Sequence, residues 1–243
     1  MAAVALTFVA CEDDSEPELT KVFLGAPWTS DETYDFRLTR VEDDKPYGDC
    51  TLQTRLNHEG VNTRLDFLCT DGTNRDDGTA LVEPDTLRPI NSNRTVVHPE
   101  DEERLSFSSF YEPLIVKFVS DENGETRETT RDLPQPDDDN PDPGYYDDVS
   151  LLWLVRGIQL STGYEGSFEN VSAGTGQTFR VDLKVEEQEN VDVPAGVFQA
   201  WRIRLRTASV TNLYWVEVAD PHRLVKARIP GVQDVNYELV PSD

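Results

Sequence analysis

From residue 33 onward, apolar and polar positions mostly alternate. Residues 34–41 set Tyr34, Phe36 and Leu38 on one side and charged or polar residues on the other. A period of two is the mark of a half-buried strand. Residues 51–58 and 61–68 repeat the pattern around Glu59-Gly60. A two-residue loop there pairs positions whose numbers sum to 119. Leu52, Leu56, Leu65 and Phe67 then share a face, and Cys50 falls opposite Cys69. Further short runs at 79–82, 90–97, 104–111, 114–119 and 126–130 read as strands, with turns at Asp71-Gly72, Asp77-Gly78 and Asn123-Gly124.

After residue 160 the strands resume, at 164–170, 177–186, 189–193, 197–207, 212–218, 224–228 and 235–240. Trp201, Ile203 and Leu205 face inward, and Arg202, Arg204 and Arg206 outward. Read as a three-residue loop, Pro194-Ala195-Gly196 sets Glu186 against Arg204.

One segment breaks the alternation. Residues 149–155 hold Leu151, Leu152, Trp153, Leu154 and Val155 with hardly a polar position. Asp147 or Asp148 can cap a helix there, and Gly157 can end it. A helix apolar all round is buried, so this short one is expected to plug the concave side of a curved sheet. The fold class is therefore all-β, mainly antiparallel, a curved open sheet or half-barrel around one short buried helix.

The N-terminus reads as an address. Residues 1–10 are uncharged and mostly apolar, too short to span a bilayer but of signal-peptide length. Phe8-Val9-Ala10-Cys11 resembles the lipobox of bacterial lipoproteins, where the Cys receives diacylglycerol. Residues 11–30 are then expected to form a lipid-anchored acidic tether, and 31–243 a single β-rich domain. Two acyl chains or more anchor firmly; one holds only marginally. The expected location is extracytoplasmic, on a bacterial membrane. With Cys11 acylated, Cys50 and Cys69 remain. Their register predicts a cross-strand disulfide at a hydrogen-bonded pair, with Cα atoms about 5.5 Å apart; two buried free thiols are the alternative.

Charge narrows the partners. Asp and Glu number 47 against 22 Lys and Arg, a net charge of −25. That excludes recognition of nucleic acid, which needs a basic face, and charge-driven binding to anionic lipid. Arg outnumbers Lys 17 to 5, and an acidic, Lys-poor surface also fits a saline source. Residues 132–148 carry seven Asp, four Pro and no basic residue, and are expected to be an exposed loop. Within it Asp138, Asn140 and Asp142 alternate as hard oxygen ligands do around Ca²⁺. However, Pro143 displaces Gly144 from the turn position and Val149 stands where a bidentate Glu would fall, so a solvated loop is the other reading.

No nucleophile elbow, phosphate loop or dinucleotide fingerprint is present, and His58, His98 and His222 lie at or beside turns.

Three stretches of the second half form a pattern: 148–156 followed by Ile158-Gln159-Leu160 and Gly163, then 193–203, then Trp215 with Asp220-Pro221-His222-Arg223-Leu224-Val225-Lys226. Thr33-Tyr34-Asp35, Gly48 and Thr86-Leu87-Arg88-Pro89 fit the same template. Together they resemble a bacterial domain-of-unknown-function family of exported β-rich proteins, over roughly 31–240. The resemblance implies a large antiparallel sheet curved around one helix, similar to the half-barrels of envelope lipoprotein carriers, and supplies no catalytic residue. The long acidic loop departs from the template.

The expected role is non-enzymatic binding or scaffolding of a ligand, possibly lipid-like. Phe36, Leu52, Phe67, Trp153, Trp201 and Ile203 would line the concavity. A structural or protein-interaction module with a filled core is the alternative, and a hydrolase with dispersed carboxylates a third. Clustered buried carboxylates in a cleft would favour the hydrolase; an empty apolar cavity would favour ligand binding.

Overall fold

The structure is a computed structural model that describes residues 18–230 and 234–241. The signal-like segment and Cys11 lie outside the described residues.

Fifteen strands form one sheet. The first half holds β1 (Glu32–Arg40), β2 (Pro46–His58), β3 (Asn62–Asp71), β4 (Asn74–Val82), β5 (Pro89–His98), β6 (Glu103–Tyr111), β7 (Ile115–Glu122) and β8 (Glu125–Asp132). The second holds β9 (Tyr145–Asp147), β10 (Glu165–Ser172), β11 (Gln177–Val193), β12 (Gly196–Arg206), β13 (Thr211–Glu217), β14 (Leu224–Ile229) and β15 (Val235–Leu239). Their spatial order is β8-β7-β6-β5-β4-β3-β2-β1-β15-β14-β13-β12-β11-β10-β9. Strands β1–β8 and β10–β15 each form a meander, β9 adds in parallel beyond β10, and β1 joins β15 at the centre. Every pairing is antiparallel except β9 with β10.

The sheet is open but strongly curled, and its two ends meet through side chains. Val116 and Phe118 of β7 pack with Leu133 and with Val171 of β10 in a second, small core. Burying each such side chain favours the closed form by about 1.5–3 kcal/mol. The edge strand β8 is protected differently: it is exposed almost throughout and rich in charge and Thr, which discourages pairing with another chain.

The expected helix is shorter than the apolar run. Asp148–Ser150 form a single 3₁₀ turn and α1 spans Leu151–Leu154. The expected cap is present: the Asp147 carboxylate accepts the Val149 N–H at 2.8 Å. Gly157 does not end the helix in a left-handed conformation. It is needed because a Cβ there would lie 2.2 Å from the Phe23 ring.

This segment threads the inside of the curl. It starts beside Ser92 of β5 and reaches Thr54 of β2, whose Oγ accepts from Trp153 Nε1 at 2.9 Å. It ends where Arg156, 2% exposed, meets Glu32 and the His222 and Pro221 carbonyls. The guanidinium also sits 5.1 Å from the Trp28 ring centroid and 5.4 Å from that of Tyr34.

Antiparallel neighbours gather alternate turns at two ends. One end collects the connections β1–β2, β3–β4, β10–β11, β12–β13 and β14–β15; we call it the open rim. The opposite end is covered by residues 18–30. Phe23 bridges Ile158, Leu24 N–H donates to the Gly157 carbonyl at 2.8 Å, and Val22, Phe23 and Trp28 are buried in the main core. The boundary expected at residue 31 therefore moves: residues 18–30 belong to the folded domain, because their apolar side chains close one end of it. Among the described residues, no helix is long and apolar enough to cross a membrane.

Local register departs from expectation in four places. The β2–β3 loop is three residues, not two, with His58 opposite Asn62, and an irregularity between Arg55 and His58 restores the expected pairing beyond it. Asp77-Gly78 is not a turn but lies inside β4, where Gly78 makes room for the Phe67 ring 2.3 Å from its ideal Cβ. The β11–β12 loop is two residues, with Val193 opposite Gly196. An irregularity between Val185 and Gln188 then places Arg204 opposite Lys184, not Glu186. Glu186 nevertheless reaches Arg202 at 2.5 Å and Arg204 at 3.6 Å. Finally, Cys50 and Cys69 do pair and are joined by a disulfide, but their Cα atoms are 4.0 Å apart. This is the close spacing of a non-hydrogen-bonded pair, not the wider one expected.

Candidate functional site

The concavity is filled. Phe36, Leu52, Trp153 and Ile203 are buried together in the main core, with Phe67 and Trp201 half-buried against it. None of the six lines any of the four principal hollows. The helical segment occupies the volume that an acyl chain would need, so those residues hold the fold rather than an open ligand site.

The chemistry gathers instead where that segment enters. Asp147 and Asp148, expected in a solvated loop, form an acid pair of which Asp147 is buried and Asp148 half-buried. Asp147 is fully buried, and its Oδ2 accepts from Ser92 Oγ at 2.6 Å and from the Tyr111 hydroxyl. Asp148 turns the other way. Its carboxylate accepts from Ser172 Oγ at 3.1 Å and from the Ala173 N–H at 3.4 Å.

Burial pushes both carboxyls up, Asp147 to about 7, with the neighbouring Asp148 charge adding to the effect. For Asp148 the Arg94 charge and the Ser172 and Ala173 donors oppose the rise. The Asp148 charge disfavours ionisation of Asp147, so the two acids titrate as a pair. Burial, then the Asp147 charge, likewise hold the Tyr111 hydroxyl well above its usual range. Its ring stacks on Tyr145, with centroids 6.4 Å apart.

Asp148 forms part of the wall of a cleft of about 450 Å³ at the open rim. Phe179, Val181, Leu205, Val210 and Ile229 supply apolar walls, and Asn170, Gln177, Thr207 and Asn212 supply polar ones. Its size falls within the range of small-molecule sites. Of the four hollows it has the most apolar lining. A smaller one of about 210 Å³ opens at the same rim beside Cys69 and Tyr237. The hollows at Glu165–Arg206 on the outer face and at Leu24–Asp85 on the covered end are more polar.

Two of the three candidate Ca²⁺ ligands are engaged with protein, and Asp138 is exposed. Asn140 Nδ2 donates to the Leu19 carbonyl at 2.6 Å. Asp142 pairs with Arg88 and, at 3.8 Å, with Lys21. Among the described residues, no three His, Cys, Asp or Glu side chains gather at metal-ligand spacing. In the sequence Asp147 and Asp148 read as caps and as the end of the acidic loop. What could have marked them as more than loop residues is their position directly before the apolar run 151–155.

Residues 35–236 match the model of the family described as protein of unknown function DUF3108. No curated protein matches the chain. Among solved structures, the β-barrel-like protein of domain of unknown function DUF1849 from Brucella abortus is similar at TM-score 0.53 and 11% identity, over 92% of this chain and 98% of that one. A Bacteroides fragilis protein of YmcC-like fold, described as exported, aligns over 90% of this chain and 98% of its own at 12% identity; its TM-score of 0.30 is too low to indicate a shared fold. The chain belongs to the DUF3108 family, and its curled β architecture is that of the Brucella abortus protein.

Proposed function

We propose that this protein is a lipid-anchored envelope protein that binds a small, largely apolar ligand in the cleft at the open rim. The observation that carries the reading is the contrast between the two ends. One is covered by residues 18–30, while the other holds a 450 Å³ apolar cleft walled by rigid strands. The buried Cys50–Cys69 bridge supports an oxidising compartment. The lipobox-like Cys11 supports a membrane tether.

A neutral probe that fluoresces in apolar surroundings, N-phenyl-1-naphthylamine, tests the binding. It should bind saturably to the full chain, and Val210→Arg, which puts a charge into the cleft wall, should abolish binding with the fold retained by circular dichroism. Absence of saturable binding, or unchanged binding by V210R, would overturn the reading.

The acid pair gives one alternative a specific foothold. Raised carboxyls beside a cleft are the arrangement a general acid requires. Asp148, the member at the cleft, would be that acid.

A further inference from the structure

Among the described residues that line the cleft at the open rim, Asp148 is the one charged side chain, and none is Lys, Arg or His. Two more acceptors belong to the same lining. The side-chain oxygens of Asn170 and Asn212 are buried and accept no hydrogen bond, and Asn170 is 1% exposed. Buried amide oxygens without a donor are uncommon in folded proteins. Elsewhere among the described residues, only the Thr39 and Ser109 hydroxyls share this condition, so half of the orphaned atoms belong to one cleft. Asn212 is oriented by its own amide N–H, which donates to the Tyr214 hydroxyl at 3.4 Å.

We propose that the ligand of this cleft carries a primary ammonium head on an apolar body. This rests on the cleft being the ligand site. An ammonium brings three N–H donors and a positive charge; the lining residues carry a carboxylate with spare lone pairs and two unpaired amide oxygens buried just behind the wall. A hydroxyl head would bring a single donor. A carboxylate or phosphate head would meet Asp148 with like charge and find no cation to hold it. The apolar body would lie along Phe179, Leu205, Val210 and Ile229.

Calorimetric titration of the full chain with octylamine, octanol and octanoate at pH 8 tests the head group while the tail is held constant. Octylamine should bind about tenfold or more tighter than octanol, the margin of a charge-assisted hydrogen bond, with octanoate weakest. Asp148→Asn should bring octylamine down to the affinity of octanol. A general attraction of the amine to the acidic surface would survive that change, because it removes one charge of 25. Asn170→Leu, which removes the orphaned acceptor and leaves Asp148 in place, should also narrow the preference; urea unfolding of each variant checks that the fold is kept. Equal affinity for octylamine and octanol, or a preference unchanged by D148N, would overturn the ammonium head and leave the cleft as a binding site. No saturable binding of any of the three would overturn the cleft itself, and this inference with it.

Discussion

The Oγ of Ser92 lies 2.6 Å from a carboxylate oxygen of Asp147, and that contact joins the two halves of the sheet. Ser92 sits in the first meander and Asp147 ends the strand at the far edge of the second. Tyr111, from the first meander, reaches the same oxygen. The buried acid therefore caps the threaded helix, fastens the curl and backs the wall that carries Asp148.

This placement gives the stability an unusual pH dependence. Burial raises the Asp147 carboxyl from 3.8 to about 7. Between those values the folded state binds more protons than the unfolded one, so stability falls as pH rises through the interval. The contribution is full below about pH 4 and lost above about pH 7. Asp147→Asn, which mimics the protonated acid, should flatten the curve and make the protein more stable than wild type at pH 8, by about 1 kcal/mol or more. Urea unfolding across this range measures it; parallel curves for the two proteins would contradict it.

The disulfide closes a loop of sequence separation 19. Loop-closure entropy for that length is worth about 3 kcal/mol. Cys50→Ala with Cys69→Ala should lower the unfolding free energy by about that amount and leave the cleft unchanged. Non-reducing mass spectrometry of the wild type should find no free thiol at either position.

Arg156 closes the covered end. It is 2% exposed, paired with Glu32 and bonded to two carbonyls of the turn before β14. Arg156→Met leaves the Glu32 carboxylate and both carbonyls without this partner. It should cost about 3–5 kcal/mol, the usual cost of breaking a buried pair, with chemical denaturation as the readout.

Cys11 carries the proposed anchor. Cys11→Ser should move the protein from the membrane to the soluble fraction and abolish incorporation of an alkyne-labelled fatty acid. Labelling retained by the variant would remove the lipid anchor from the account.

The residues that could be read in the sequence are those governed by local rules. Alternation found the β2–β3 register because the pairing keeps the sum 119 from Asp49–Thr70 to Arg55–Arg64. A cap at Asp147 or Asp148 is legible because capping involves residues only two or three apart in the chain; the structure has Asp147 as the cap. Where several strands contribute, the local signal fails. The irregularity between Val185 and Gln188 leaves the alternation of β12 intact while moving its partners by one residue. Asp147 and Asp148 read as part of an acidic loop because composition cannot show that Ser92, Tyr111 and Ser172 converge on them from three strands. The lining of the cleft comes from residues 148 to 230, brought together only by the curl of the sheet.

In the proposed function, ligand enters the open rim and not the filled core. Chemical-shift mapping of the isotope-labelled chain during titration with octylamine tests it most directly. Saturable shifts should be confined to residues 170–181, 205–212 and 228–230 together with Asp148 and Leu151. Shifts centred instead on Phe36, Leu52, Trp153 and Ile203, or no saturable shift at all, would contradict it.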